Sequence, residues 1–422
     1  MKLVVIADDF TGATDIASFL VEAGLDTIQF SGPPPKDMTI DTQAVVISLK
    51  SRSCPKQEAI ADTLDALKWA KSQGCKHIYF KYCSTFDSTP QGNIGPVTDA
   101  LMDAMGEKST IICPALPING RTSYMGYLFV NDVLLSESPM KNHPITPMMD
   151  SSILRLMEAQ SKGKAALIDI HTIKSGISAV RKKILELKAQ SFNYIICDAI
   201  DMDDLDIIAE ASLGEFRLFT GGSGLGGGLG KQLKSPNKNL ETVKNKGLPP
   251  QAPTVILAGS CSAMSQKQVA AYKQKAPSFQ IDVAQCIRNG NAYANQLFYW
   301  YSEHNNTPLA PLLYATTNTE NLKEIQTQYG GNTASEAVEK VFYILSQKLK
   351  EYGVRNFIVA GGETSGSVTQ ALKVDAFYIG SQITPGVPWV RSLDGELSLA
   401  LKSGNFGSEN FFEAAQKMIV VS

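Results

Sequence analysis

Short apolar runs recur along the whole chain, most closed by a small or polar residue and followed by a helical pattern. In the first half they fall at 3–7, 27–30, 44–48, 77–81, 110–113, 165–170, 194–197 and 217–219. In the second half they fall at 254–258, 279–283, 312–316, 357–360, 376–379 and 397–401. Helical patterns between them include 57–71, 174–187, 265–274, 334–352, 367–372 and 409–418. Strands that alternate with helices and carry little polar character predict parallel sheets covered on both faces. A chain of 422 residues exceeds one ordinary core. The expected fold is therefore α/β, with two domains, each a mostly parallel sheet flanked by helices. The polar stretch 231–253, with Pro236, Pro249 and Pro250, reads as a linker between domains at 1–230 and 254–422. Segment 120–147 breaks the rhythm and reads as an irregular hairpin or loop insertion.

Composition narrows the function classes. A formal charge of −2 provides no basic surface for nucleic acid. No apolar run has the length of a membrane span. The strand pattern begins at Lys2, which leaves no room for a signal peptide. Seven scattered cysteines without a Cys-x-x-Cys pair argue against a disulfide framework or structural zinc. A reducing cytoplasm is the expected compartment.

Glycine-rich turns after strands carry the chemistry. Gly361, Gly362, Glu363, Thr364, Ser365 and Gly366 follow the run ending at Ala360, with Thr364 or Ser365 as candidate N-cap of a short helix. Glycines let a phosphate approach the backbone, and a helix start favours an anion. A tight strand-to-helix turn without a ligand reads the same residues. Gly259, Ser260, Cys261 and Ser262 repeat the arrangement after 254–258, with helix capping as the alternative. A third turn, Gly404 to Gly407, follows 397–401 and is equally readable as a plain turn.

The first half offers a different chemistry. Asp8 and Asp9 end the first strand, where one caps the following helix and the other is free to accept from sugar hydroxyls or act as a base. Lys81 ends another strand and opens a hydroxyl-rich loop containing Asp87. Arg121 sits in a turn with Tyr124, Tyr127 and His143 nearby, and an arginine binds carboxylate or phosphate in bidentate fashion. The run 222–227 fits Gly-x-Gly-x-x-Gly, but no acidic residue follows at a second strand end, so the dinucleotide reading fails on context. Lys231 lacks the neighbours of a Walker lysine.

Taken together, the chain resembles the four-carbon acid sugar kinases, most closely those acting on 3-oxo-tetronates. The resemblance rests on ADDFTGATD at 7–15, KYCSTFDSTPQGNIGP at 81–96, CPALPINGRTSYMGYLFV at 113–130 and ESPMKNHPITPMMDS at 137–151. It continues through TGGSGLG at 220–226, GSCS at 259–262, GGETSGSV at 361–368 and GSQITPGVPW at 380–389. The resemblance implies an N-terminal acid-sugar domain and a C-terminal ATP domain. Carried over by position, ATP would meet Ser260, Gly361, Gly362, Glu363, Thr364 and Gly404. The sugar acid would meet Asp8, Asp9, Lys81, Asp87 and Arg121, with Lys81 or Arg121 on its carboxylate. Asp9, then Asp87, is the expected base, and Glu363 the expected contact to Mg²⁺ through water. The implied reaction is transfer from Mg-ATP to the 4-hydroxyl of 3-oxo-tetronate; threonate or erythronate kinase activity and, more remotely, an NAD-dependent dehydrogenase are the alternatives. The partners are small molecules, and a homo-oligomer is compatible with the chain.

Overall fold

The structure, a computed structural model, describes residues 1–420 apart from 36, 37, 39, 144, 145 and 236–238. The chain divides into two compact units, Met1–Val243 and Lys244–Ser422. The centre of the expected linker, 236–238, lies outside the described residues; a short helix, Leu240–Asn245, occupies part of the remainder.

In the first unit the strands are β1 (Leu3–Ala7), β2 (Thr27–Ser31), β3 (Ala44–Ser48), β4 (His77–Lys81) and β5 (Thr110–Cys113). A small antiparallel sheet of β6 (Arg121–Tyr124), β7 (Tyr127–Val130) and β8 (Val133–Leu134) then interrupts. Its first turn has positive φ at both central residues, Met125 (50°) and Gly126 (79°), the geometry that matches strand twist in a two-residue hairpin. The strands β9 (Ala165–Ile168), β10 (Tyr194–Cys197) and β11 (Leu218–Gly221) complete the unit. The main sheet is wholly parallel, in the order β2-β3-β1-β4-β11-β5-β10-β9. Every residue of β1 is buried, as both-face coverage requires. The expected strand 165–170 stops at Ile168, because Asp169 caps a short helix, Ile170–Lys174.

The second unit contains β12 (Thr254–Ala258), β13 (Ser278–Gln280), β14 (Leu312–Tyr314), β15 (Asn356–Ala360), β16 (Ala376–Thr384), β17 (Val387–Ser392) and β18 (Ser398–Lys402). Their order is β13-β14-β12-β15-β18-β17-β16, parallel from β13 to β18 and antiparallel from β18 to β16. The core under this sheet gathers Trp389, Phe411, Phe412, Ile256 and Ile358.

Two elements here differ from expectation. The run 279–283 is strand only to Gln280; Asp282 then caps a long helix, Val283–His304, whose apolar pattern is interrupted by a kink at Asn289. No strand is expected between 379 and 397, yet β16 continues to Thr384, the chain turns at Pro385 and Gly386 (φ 79°), and β17 follows from Val387 to Ser392. Among the described residues no helix is long and apolar enough to cross a membrane.

Candidate active site

Topology places the polar residues of the first unit. Right-handed crossovers that run in opposite directions along a sheet leave on opposite faces. From β1 the chain runs towards β2, and from β4 it runs the other way, towards β5. The helices that follow, Phe10–Glu22 and Ile94–Met105, therefore cover opposite faces, and a crevice opens between the carboxyl ends of neighbouring β1 and β4. Asp8, Asp9 and Lys81 lie at that crevice.

Asp9 caps helix Phe10–Glu22, its Oδ1 accepting from Gly12 N at 2.7 Å. Capping does not release Asp8, because Arg52, which the sequence reading passed over, clamps both aspartates. Its Nε and Nη2 donate to Asp8 at 2.9 and 2.8 Å, and Nη1 lies 3.0 Å from Asp9 Oδ2. Arg52 follows β3, and its loop is tied down by Ser51 N donating to Asp8 O and by Asn93 Nδ2 donating to Ser51 O. Burial pushes the Asp8 carboxyl above its ordinary range, against the pull of Arg52. Lys81 is 3% exposed and donates to Tyr82 O at 2.7 Å. A Cβ at Gly12 would stand 2.4 Å from Asp9 Oδ1 and 3.2 Å from Lys81 Nζ, so glycine here lets the cap and the ammonium approach the helix start. Asp15, one turn further on, accepts from Ser223 Oγ, and burial raises its carboxyl while Lys81 opposes.

Asp87 accepts from Thr85 Oγ1 at 2.6 Å in a loop where buried Phe86 takes a left-handed φ of 50°. The Cys83 thiol beside it is pushed up to about 11, mainly by burial and then by Asp87, with Arg52 opposing. Arg121 stands apart. It opens β6, donates to Asn119 O, and has no described hydrogen bond or ion pair to Asp8, Asp9 or Lys81. The expectation that it joins them has no support in the described contacts.

The glycine-rich run after β11 is a helix, Ser223–Leu233. A Cβ at Gly226 would lie 2.5 Å from Ile16 Cδ1, one at Gly228 2.8 Å from Leu205 O, and one at Gly230 2.9 Å from Ala23 Cβ. These glycines serve close packing against helices Phe10–Glu22 and Met202–Ser212 rather than a dinucleotide.

A second crevice forms in the other unit by the same logic. The chain leaves β12 towards β13, whereas it passes from β14 over β12 to β15. Helix Gly362–Leu372, after β15, packs on helix Gly331–Tyr352 of that second crossover, while helix Ala263–Tyr272, after β12, packs on Phe411–Lys417. The turns after β12 and β15 thus diverge side by side, and the turn after β18 adjoins them.

Glycine is required at each of these turns. A Cβ at Gly259 would stand 2.1 Å from Thr364 Oγ1; at Gly404 it would stand 2.5 Å from Ser260 Oγ and 2.7 Å from Ser262 Oγ. Gly361 has φ 131° and is itself the N-cap, so the helix begins at Gly362. Thr364 and Ser365 are therefore inside the first turn and not the cap expected from the sequence. The first turn, whose N–H groups a helix leaves unbonded, starts beside Ser260: a Cβ at Gly361 would stand 3.2 Å from Ser260 N. Ser262 caps helix Ala263–Tyr272. Gly362 and Glu363 are exposed. Glu363 Oε2 accepts from Ser335 Oγ at 3.1 Å, and the Glu339 carboxyl next to it is raised by burial and by Glu363. Buried Lys402, also absent from the sequence reading, completes the floor of the turns.

The chain matches two family models, a sugar-binding N-terminal domain over residues 3–229 and a nucleotide-binding C-terminal domain over residues 255–412. It is 53% identical over 420 residues to a 3-oxo-tetronate kinase of Pectobacterium atrosepticum, covering 99% of each chain. It is 54% identical over 418 residues to a 3-oxo-tetronate kinase of Haemophilus influenzae, covering 99% of this chain and 100% of that one. A crystal structure of a Haemophilus influenzae protein superposes with a TM-score of 0.89 at 53% identity, over 99% of this chain and 100% of that one.

Proposed function

The chain belongs to the four-carbon acid sugar kinases, in their 3-oxo-tetronate kinase branch, and from that premise we propose that it transfers the terminal phosphoryl group of ATP to the 4-hydroxyl of a 3-oxo-tetronate. The observation that carries this reading is a pair of switch-point crevices of different chemistry in a chain alike along its whole length to enzymes of that name. One crevice is lined by buried carboxylates and cations, suited to a small polyol acid. The other is lined by glycine turns and helix starts, suited to phosphates. On this reading 1–230 binds the sugar acid, 231–253 links, and 254–422 binds ATP.

Phosphoryl transfer asks a protein mainly to position the two reactants and to offset charge. In this proposal Ser260, Gly361, Gly362, Thr364 and Gly404 hold the phosphates of ATP through backbone N–H groups and hydroxyls. Lys81, fixed beside the start of helix Phe10–Glu22, holds the substrate carboxylate, and Arg121 is the weaker assignment because nothing described joins it to the cluster. Asp9 keeps the role of base or orienter of the 4-hydroxyl, with Asp87 second. Asp8 is committed to Arg52 through both oxygens and instead sets the orientation of the guanidinium.

Magnesium would accompany ATP. Among the described residues no group of three or more His, Cys, Asp or Glu side chains is placed to hold a metal ion. The exposed Glu363 carboxylate, at the helix start and beside Glu339, fits a cation that keeps its waters and takes one carboxylate plus phosphate oxygens. Bound there, the ion would neutralise charge on the transferring phosphoryl group.

Phosphorus NMR of the product formed from 3-oxo-tetronate and ATP tests the proposal. A phosphomonoester coupled to the C4 protons is expected. A phosphate on another position, or on the carboxylate, would overturn the assignment of the 4-hydroxyl.

A further inference from the structure

Among the described residues of the second unit, Lys402 is a buried cation with no ion-pair partner. Lys402 ends β18 with 1% of its surface exposed. Its ammonium donates to Gly404 O at 2.8 Å, Ser403 O at 3.0 Å and Ser265 Oγ at 3.2 Å. Ser265 Oγ in turn donates to Gly404 O at 3.0 Å. All of these acceptors are neutral. The charged side chains on the elements around it are engaged elsewhere or face solvent: Lys267 lies 3.9 Å from Glu409, Glu413 pairs with Lys275 at 2.6 Å, Glu363 accepts from Ser335, and Lys417 is exposed. Phe411 offers only its ring, 5.9 Å from Nζ. A buried ammonium with hydrogen bonds but no anion is costly unless an anion arrives to compensate it.

The place where the anion would arrive is evident from the acceptors. Gly404 packs directly on Ser260 and Ser262, and Ser265 lies in the first turn of the helix that Ser262 caps. Lys402 therefore sits under the three turns assigned above to the phosphates, and its own carbonyl accepts from Gly361 N at 2.9 Å. We propose that Lys402 is a positioning residue for the nucleotide: it holds the Gly404 turn in its binding shape and supplies the fixed positive charge that a polyphosphate compensates from above. This inference rests on the nucleotide reading of the second unit and adds to it the residue that couples phosphate binding to charge.

A consequence is proton linkage. Burial pulls the Lys402 ammonium down to about 8. Below that value the charge is present and favours a polyphosphate; above it the charge is lost and binding weakens. A bound polyphosphate favours the charged form, so binding near pH 8 takes up a proton.

The test is calorimetric titration of the full chain with ADP between about pH 7.5 and 9.5, in two buffers of different ionisation enthalpy. The wild-type protein is expected to lose roughly tenfold in ADP affinity across that range and to take up a proton near pH 8. Lys402→Arg, which stays charged throughout, is expected to bind ADP with a flat pH profile and no proton uptake. Lys402→Met is expected to raise the Kd for ADP about tenfold or more at pH 7.5 while leaving 3-oxo-tetronate binding unchanged. ADP binding by the wild-type protein with neither pH dependence nor proton uptake would overturn the role of Lys402 alone. The same slope in Lys402→Arg as in wild type would also overturn it. Failure of the wild-type protein to bind ADP at any pH would overturn the nucleotide reading of the unit and this inference with it.

Discussion

Arg52 determines what the two aspartates after β1 can do. With Asp8 held in a two-pronged pair and Asp9 sharing the same guanidinium, removing Arg52 leaves a buried carboxylate without its cation. Arg52→Met is predicted to destabilise the protein by about 2–3 kcal/mol, and Asp8→Asn in the same chain to restore much of the loss, as a double-mutant cycle in urea would measure. Asp9→Asn keeps a capping oxygen but not a base. It is predicted to lower kcat by about 100-fold or more with little change in melting temperature; near-full turnover would remove Asp9 as the base. Lys81→Met is predicted to raise the KM for the sugar acid by about tenfold or more while the KM for ATP stays put. Asp8, Asp9 and Lys81 are legible in the sequence because each closes an apolar strand next to a distinctive polar turn, and Asp87 because it is the one carboxylate in the hydroxyl-rich loop that Lys81 opens. Arg52 and Lys402 are not. Arg52 lies in a loop whose partner is 44 positions away, and Lys402 looks like any lysine that closes a strand.

At the scale of elements, parallel strands are readable because burial on both faces leaves an unbroken apolar run, as in β1, β3 and β4. The elements missed are those where local chemistry and tertiary context disagree. Helix Val283–His304 carries an internal Asn289 kink, and β17 begins directly after Pro385 and Gly386 and contains Pro388, which interrupt a strand pattern. The glycine run after β11 fits a dinucleotide pattern that fails on context, and it folds as a tightly packed helix. Gly228→Ala is predicted to cost about 1–3 kcal/mol, because the new Cβ meets the Leu205 carbonyl at 2.8 Å, backbone that cannot swing aside. A lower urea midpoint at unchanged slope would measure it. A midpoint equal to that of the wild-type protein would mean that the helices separate easily.

At the scale of the whole molecule the proposed division of labour gives one unit the four-carbon sugar acid and the other the nucleoside triphosphate. Identity of the sugar acid is the part least readable from the site. Lys81 and the aspartates would accept a reduced acid as readily as an oxo acid, and the assignment to the oxo acid draws on the likeness to the 3-oxo-tetronate kinases. The most direct measurement is ADP release by the purified protein with Mg-ATP and, separately, 3-oxo-tetronate, erythronate and threonate. Rapid release with 3-oxo-tetronate and only background with the two reduced acids is the predicted result. Rapid release with erythronate or threonate and none with the oxo acid would contradict it.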